Sequence, residues 1–184
     1  MKTQFLMGIM VLLSGIGWAQ EQIGPLSYTI PQGWSKSRTE NGIVLQKPLQ
    51  KGVVCKISIS DVQKVAASTS AAYIQLRNAL SYPGVSYFNS RGAISRYEAN
   101  GLVAFFSRGR VTVGNSSAQN YFYSLSNGQV TVCYQLLTGN NECVEAFNQF
   151  VQSITMEVSE GEGAVNAKRR KAAAGAPAAP APMM

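Results

Sequence analysis

The chain has no histidine at all. That absence removes Ser-His and Cys-His nucleophilic pairs, imidazole metal sites and the commonest acid-base group of enzymes. Acidic residues are scarce as well, nine in 184, and they are scattered along the sequence. The three cysteines, Cys55, Cys133 and Cys143, lack the paired C-x-x-C spacing of a zinc site, so no metal and no cofactor are expected. With no convergent set of titratable groups, the chain reads as a non-catalytic protein; an enzyme working through carboxylate, Lys or Tyr chemistry stays open.

Long apolar runs are also few. The only one, residues 5–13, follows Lys2 and precedes Gly17-Trp18-Ala19, the small-x-small pattern of a secretory cleavage site. Residues 1–19 are therefore expected to be a signal peptide and the working protein to be secreted or periplasmic. The run is too short to cross a bilayer comfortably, so no transmembrane anchor is expected, and no cysteine near the cleavage point supports a lipid anchor.

What remains divides into residues 20–160, one domain with one core, and residues 161–184, a tail of Ala, Pro and Gly. The charge of +7 belongs largely to the ends. Lys2 leaves with the signal, and Lys168, Arg169, Arg170 and Lys171 lie in the tail. Residues 20–160 hold eleven basic against eight acidic side chains, a net +3. Nucleic acid is accordingly not expected as a partner. The tail has nothing with which to build a core and is expected to be disordered, either as a solvated linker or as an electrostatic tether to an anionic surface.

Three Asn-Gly pairs, at 41–42, 100–101 and 127–128, each lie between runs of strand-forming residues. Both residues accept positive φ, so each pair predicts a tight hairpin. Strands are expected at 26–30, 34–37, 43–47, 53–60, 85–89, 93–99, 102–113, 118–126 and 129–137. Pro31 and Gly33 suit the second and fourth places of a type I turn. Helical spacing of Tyr73, Leu76 and Leu80 predicts a helix over 70–80, stopped by Pro83-Gly84. A second is predicted over 141–156, capped by Asn141, with a stripe of Val144, Phe147, Val151 and Ile154. The fold class is α+β: an antiparallel β-sheet of hairpins with helices packed on its faces.

Hairpins centred on 100–101, 115–116 and 127–128 place Arg91, Arg110, Tyr121 and Tyr134 in one row across four strands. Ala93, Arg108, Tyr123 and Val132 form the next. Arg91, Arg108, Arg110, Tyr121, Tyr123 and Tyr134 are thus a candidate patch for a polar or anionic ligand, or else ordinary cross-strand Arg-Tyr pairs. Ile94, Phe105, Val111 and Phe122 line the opposite face. Cys133, ending a strand, and Cys143, starting a helix, are the candidate disulfide in an oxidising compartment. Cys55 is then left as a buried apolar thiol or a reactive one; in a reducing compartment all three are small core residues. Trp34 is read as a core or rim residue.

Two segments bracket a body that resembles the PsbP-like superfamily: Tyr28-Thr29-Ile30-Pro31-Gln32-Gly33-Trp34 and Phe147-x-x-Phe150-Val151-x-Ser153-Ile154. That group shares an α/β/α sandwich among photosystem extrinsic subunits, a nuclear Ran-binding adaptor and many exported bacterial proteins. The resemblance spans residues 26–156. It implies an accessory or adaptor role with no shared catalytic site, and it carries no functional residue onto this chain. The expectation is an exported adaptor with an unknown protein partner in the envelope; the alternative is a small-ligand or lipid carrier using a cleft between sheet and helix.

Overall fold

A computed structural model describes residues 20–47, 55–87, 94–113 and 115–158. The strands are β1 (Gln20–Ile23), β2 (Leu26–Thr29), β3 (Ser35–Thr39), β4 (Gly42–Gln46), β5 (Cys55–Ser60), β6 (Ser86–Tyr87), β7 (Ile94–Ala99), β8 (Leu102–Val113), β9 (Ser116–Ser126), β10 (Thr131–Thr138) and β11 (Thr155–Met156). Helix α1 (Ser70–Leu80) falls between β5 and β6, and α2 (Asn141–Ser153) between β10 and β11. Eight strands form one antiparallel sheet in the order β3-β4-β5-β10-β9-β8-β6, with β7 also paired to β8. A second sheet, β1-β2-β11, was not foreseen in full, because strands of four and two residues carry too little periodicity to recognise.

Side chains alternate between the two faces of the large sheet. Tyr121, Tyr123, Tyr134, Leu136, Ile57 and Ile59 point one way and pack with Phe147, Phe150 and Val151 of α2. Phe105, Phe122 and Cys133 point the other way and pack with Tyr73 and Leu76 of α1. Each helix therefore owns one face. The small sheet extends the α2 layer, contributing Ile23, Leu26, Tyr28 and Met156 to the same core.

The turns explain where the expected register moves. At 100–101 both residues take the left-handed conformation, φ 52° and 78°, and Ile94 faces Ser107 as predicted. The β9-β10 loop is longer: Ser126 pairs with Thr131, leaving 127–130 as a four-residue connection. There the Asn127 carboxamide accepts from the backbone N–H of Gln129 and of Val130, replacing the two-residue turn with a side-chain-capped one. In the β8-β9 hairpin Val113 pairs with Ser116, so the turn lies one residue earlier than expected. In the β3-β4 hairpin Thr39 pairs with Gly42, and Glu40-Asn41 make the turn. Gly42 instead opens β4 at φ 143°, where an added Cβ would stand 2.0 Å from the Ile59 carbonyl oxygen; only glycine lets β4 and β5 approach. The Pro31 turn also begins one residue later. The Trp34 N–H donates to the Pro31 carbonyl, and Gly33 at φ 79° makes it type II.

Both helices start on side-chain caps. Thr69 accepts from the Ala72 N–H at α1. Asn140, rather than the expected Asn141, accepts from the Glu142 N–H at α2, and Glu142 lies in the positive first turn. Helix α2 ends at Ser153, short of Met156, because the chain turns extended there and joins β2 as β11.

Candidate binding surface

The six patch residues separate. Arg91 lies outside the described residues, as do residues 1–19 and the tail cations Lys168, Arg169, Arg170 and Lys171. Moving two hairpins by one residue each shifts the register by two, which keeps every side chain on its face but changes its neighbours. Arg110 faces Gln119, Arg108 faces Tyr121, and Tyr123 faces both Phe106 and Tyr134. Arg108 and Arg110 are exposed, whereas Tyr121, Tyr123 and Tyr134 retain 8 %, 3 % and 1 % of their surface.

The phenols are buried because α2 covers them. The Tyr123 ring lies 4.6 Å from Phe106, 5.2 Å from Tyr134 in a near-parallel stack and 5.6 Å from Phe147. Tyr134 meets Phe150 edge-on at 5.9 Å, and Phe150 meets Tyr28 at 5.7 Å. Burial raises the pKa of Tyr123 and Tyr134 above the ordinary phenol value and that of Tyr28 to about 12, so these rings stay neutral. The expected open row of phenols is thus a packed aromatic core. Of the predicted Arg-Tyr pairs, Arg108 over Tyr121 is present, 5.5 Å from the ring centroid, with Arg108 Nε donating to Gln119 Oε1 at 3.0 Å. It rims the core in the manner of a cross-strand structural pair.

The disulfide also differs from expectation. Cys143 bonds to Cys55, 88 residues away, and Cys133 is the free thiol. Alternation explains the correction: Cys133 shares the α1 face with Phe122, while Cys143 on α2 lies across the sheet, over Cys55 and Ile57. Cys133 is sealed, and desolvation pushes its thiol up to about 12, which makes it inert. Trp34 is buried in the α2-side core, as expected.

No protein-family model matches the chain, and no curated protein sequence does. Solved structures do. A Bacteroides thetaiotaomicron protein is similar with a TM-score of 0.51 at 12% identity, over 78% of this chain and 48% of its own. LpqN of Mycobacterium tuberculosis, described as involved in cell envelope biogenesis, is similar with a TM-score of 0.47 at 16% identity, over 70% of this chain and 81% of its own. This chain spans about half the length of the Bacteroides protein, and a likeness at 12% identity concerns the fold.

Sequence reasoning missed a polar network beneath α1. The Tyr73 hydroxyl lies 2.6 Å from Ser107 Oγ and 3.1 Å from the Phe122 carbonyl oxygen. Asn120 donates through Nδ2 to the Tyr87 hydroxyl at 3.0 Å, and Gln135 donates to the Leu80 carbonyl at 2.8 Å. The Tyr82 and Ser58 hydroxyls share a hydrogen bond, and burial raises Tyr82 to about 12. A signal was present: Ser107, Asn120 and Gln135 alternate in phase with Phe105, Phe122 and Cys133 and so belong to the same buried face. A groove of about 300 Å³, lined by Pro25, Asn127, Gln129, Val130, Glu157 and Val158, lies at the β9-β10 loop and the end of the small sheet. Among the described residues no cluster of three or more His, Cys, Asp or Glu is placed to hold a metal, and no helix is long and apolar enough to cross a membrane.

Proposed function

We propose that this chain is an exported, non-catalytic accessory or adaptor protein that acts by binding another protein in the cell envelope or outside the cell. The observation that carries this reading is the solid ring packing between α2 and the sheet. The Phe147 ring centroid lies 6.4, 5.6 and 6.4 Å from those of Tyr121, Tyr123 and Tyr134, so the space a carrier would use between α2 and the sheet is occupied by the protein's own side chains. Recognition then falls to the outer surface. Export is supported by the Cys55–Cys143 bond, which an oxidising compartment maintains. The PsbP-like resemblance belongs to the same proposal and is supported by the placement of α1 and α2 on opposite faces of an antiparallel sheet.

The test is in-place crosslinking with mass spectrometry on the native envelope, using the full chain and a version ending at Glu160. The same protein partner captured by both versions supports recognition by the folded surface. Capture lost with the tail overturns it in favour of tethering. A carrier is tested separately: extraction of the purified natural protein with organic solvent that releases a stoichiometric lipid would overturn the adaptor reading. N-terminal sequencing of that protein should begin at Gln20; an intact leader with free thiols would remove the export premise.

A further inference from the structure

The α1 face buries a positive charge that the adaptor reading leaves without a task. Arg77 retains 8 % of its surface. Its guanidinium carbon lies 4.1 Å from the centroid of the Tyr87 ring and 5.9 Å from that of Tyr73. Nη1 meets Ser107 Oγ only at 3.5 Å, the outer limit of a hydrogen bond, and buried Nε has no acceptor among the described residues. The three ion pairs found among those residues join other side chains.

Ring faces offset part of the cost of desolvating a cation, but they satisfy no in-plane N–H. A buried guanidinium held by ring faces and one long hydrogen bond is therefore short of an acceptor at Nε and of an ion-pair partner among the described residues. The surroundings are polar on the same side: Asn120, fully buried, bonds the Tyr87 hydroxyl through Nδ2, while its Oδ1 has no donor among the described residues. An unmet donor and an unmet acceptor thus flank one phenol, which is unusual for a protein interior.

We propose that Arg77 anchors a binding site for a small carboxylate on the α1 face. The ligand class follows from the geometry. The face of the Tyr87 ring lies against the guanidinium carbon and offers its in-plane N–H groups no acceptor, and a planar carboxylate is the anion whose two oxygens match paired guanidinium N–H groups. This site is separate from the outer surface assigned to a protein partner and does not depend on it.

The test titrates sodium formate into the purified full chain, with chloride replaced mole for mole so that ionic strength stays constant. The wild-type melting temperature should rise, following the mass action of a ligand that binds only the folded state. The Nε–Hε resonance of Arg77 should move and saturate over the same concentrations. Arg77→Met should show no rise with formate, and in chloride alone it should melt at or above the wild type, since it no longer buries a lone charge. The proposal is overturned if the resonance stays still, if formate and chloride act alike on the wild type, or if Arg77→Met gains as much as the wild type. Should Arg77→Met fail to fold, the resonance decides the matter without it.

Discussion

The two faces of the large sheet are built from different materials. The α2 face is a continuous field of rings and aliphatic side chains, running from Tyr28 through Phe150 and Tyr134 to Phe106, and is tied to the sheet by Cys55–Cys143. The α1 face has a smaller apolar centre, Tyr73 with Phe105 and Phe122, bordered by Ser107, Arg77, Asn120 and Gln135. Apolar contact is insensitive to direction and adds roughly in proportion to area, whereas buried polar groups demand specific partners and are costly where these are missing. The α2 face therefore carries stability. The α1 face carries three of the four unpartnered buried polar atoms among the described residues, on Arg77, Asn120 and Ser124, the fourth being the Tyr28 hydroxyl.

The largest effect should come from removing the constraint on the α2 face. In the chain-entropy picture, a loop of this length makes the double replacement Cys55→Ala with Cys143→Ala cost about 4.5 kcal/mol, read from urea midpoints. Phe147→Ala should cost about 3–5 kcal/mol, because it opens a cavity where three tyrosines converge. If either variant lost less than Tyr73→Phe, the division of labour between the faces would be wrong. Alkaline pH tests both faces at once. Folded Tyr28 and Tyr82 titrate at about 12, above the unfolded value of 10.0, so the stability they contribute is fully present below pH 10 and is lost as pH rises towards 12. The share of phenolate absorbance that Tyr28 and Tyr82 contribute, read as the difference from Tyr28→Phe and Tyr82→Phe, should appear together with loss of secondary structure, not before it.

Smaller effects sharpen the contrast. Tyr73→Phe leaves Ser107 and the Phe122 carbonyl without their phenolic donor and should cost about 1–3 kcal/mol by denaturant unfolding. Arg108→Ala removes an exposed cation from the rim of Tyr121 and should change stability by no more than about 1 kcal/mol. A much larger loss there would revive the expected Arg-Tyr patch as a built feature.

Much of the fold was legible in the residues. The helix over 70–80 and the strand over 102–113 coincide with α1 and β8, since each has an unbroken period and a clear stop. Face assignment survived even where register did not, because the two hairpin shifts move strands by an even number of residues. The candidate patch was less legible. Its tyrosines alternate correctly, but nothing local says that α2 lies over them. Arg77 was invisible for a related reason: in a helical pattern it reads as a solvated charge, and only the packing of α1 against Tyr87 buries it.

By itself, the sequence determined what depends on neighbours a few residues apart: the hairpin turns and helix starts to within a residue or two, the alternation of faces and, through the missing histidines, the imidazole chemistry excluded. Tertiary structure decided what depends on residues far apart in the chain. It chose Cys55 over Cys133 as the partner of Cys143, turned the three tyrosines of a predicted ligand patch into core, added the small sheet and buried Arg77 with no ion-pair partner among the described residues. The physical reason is that periodicity tells a side chain which way to point, while only the assembled layers tell it what stands there.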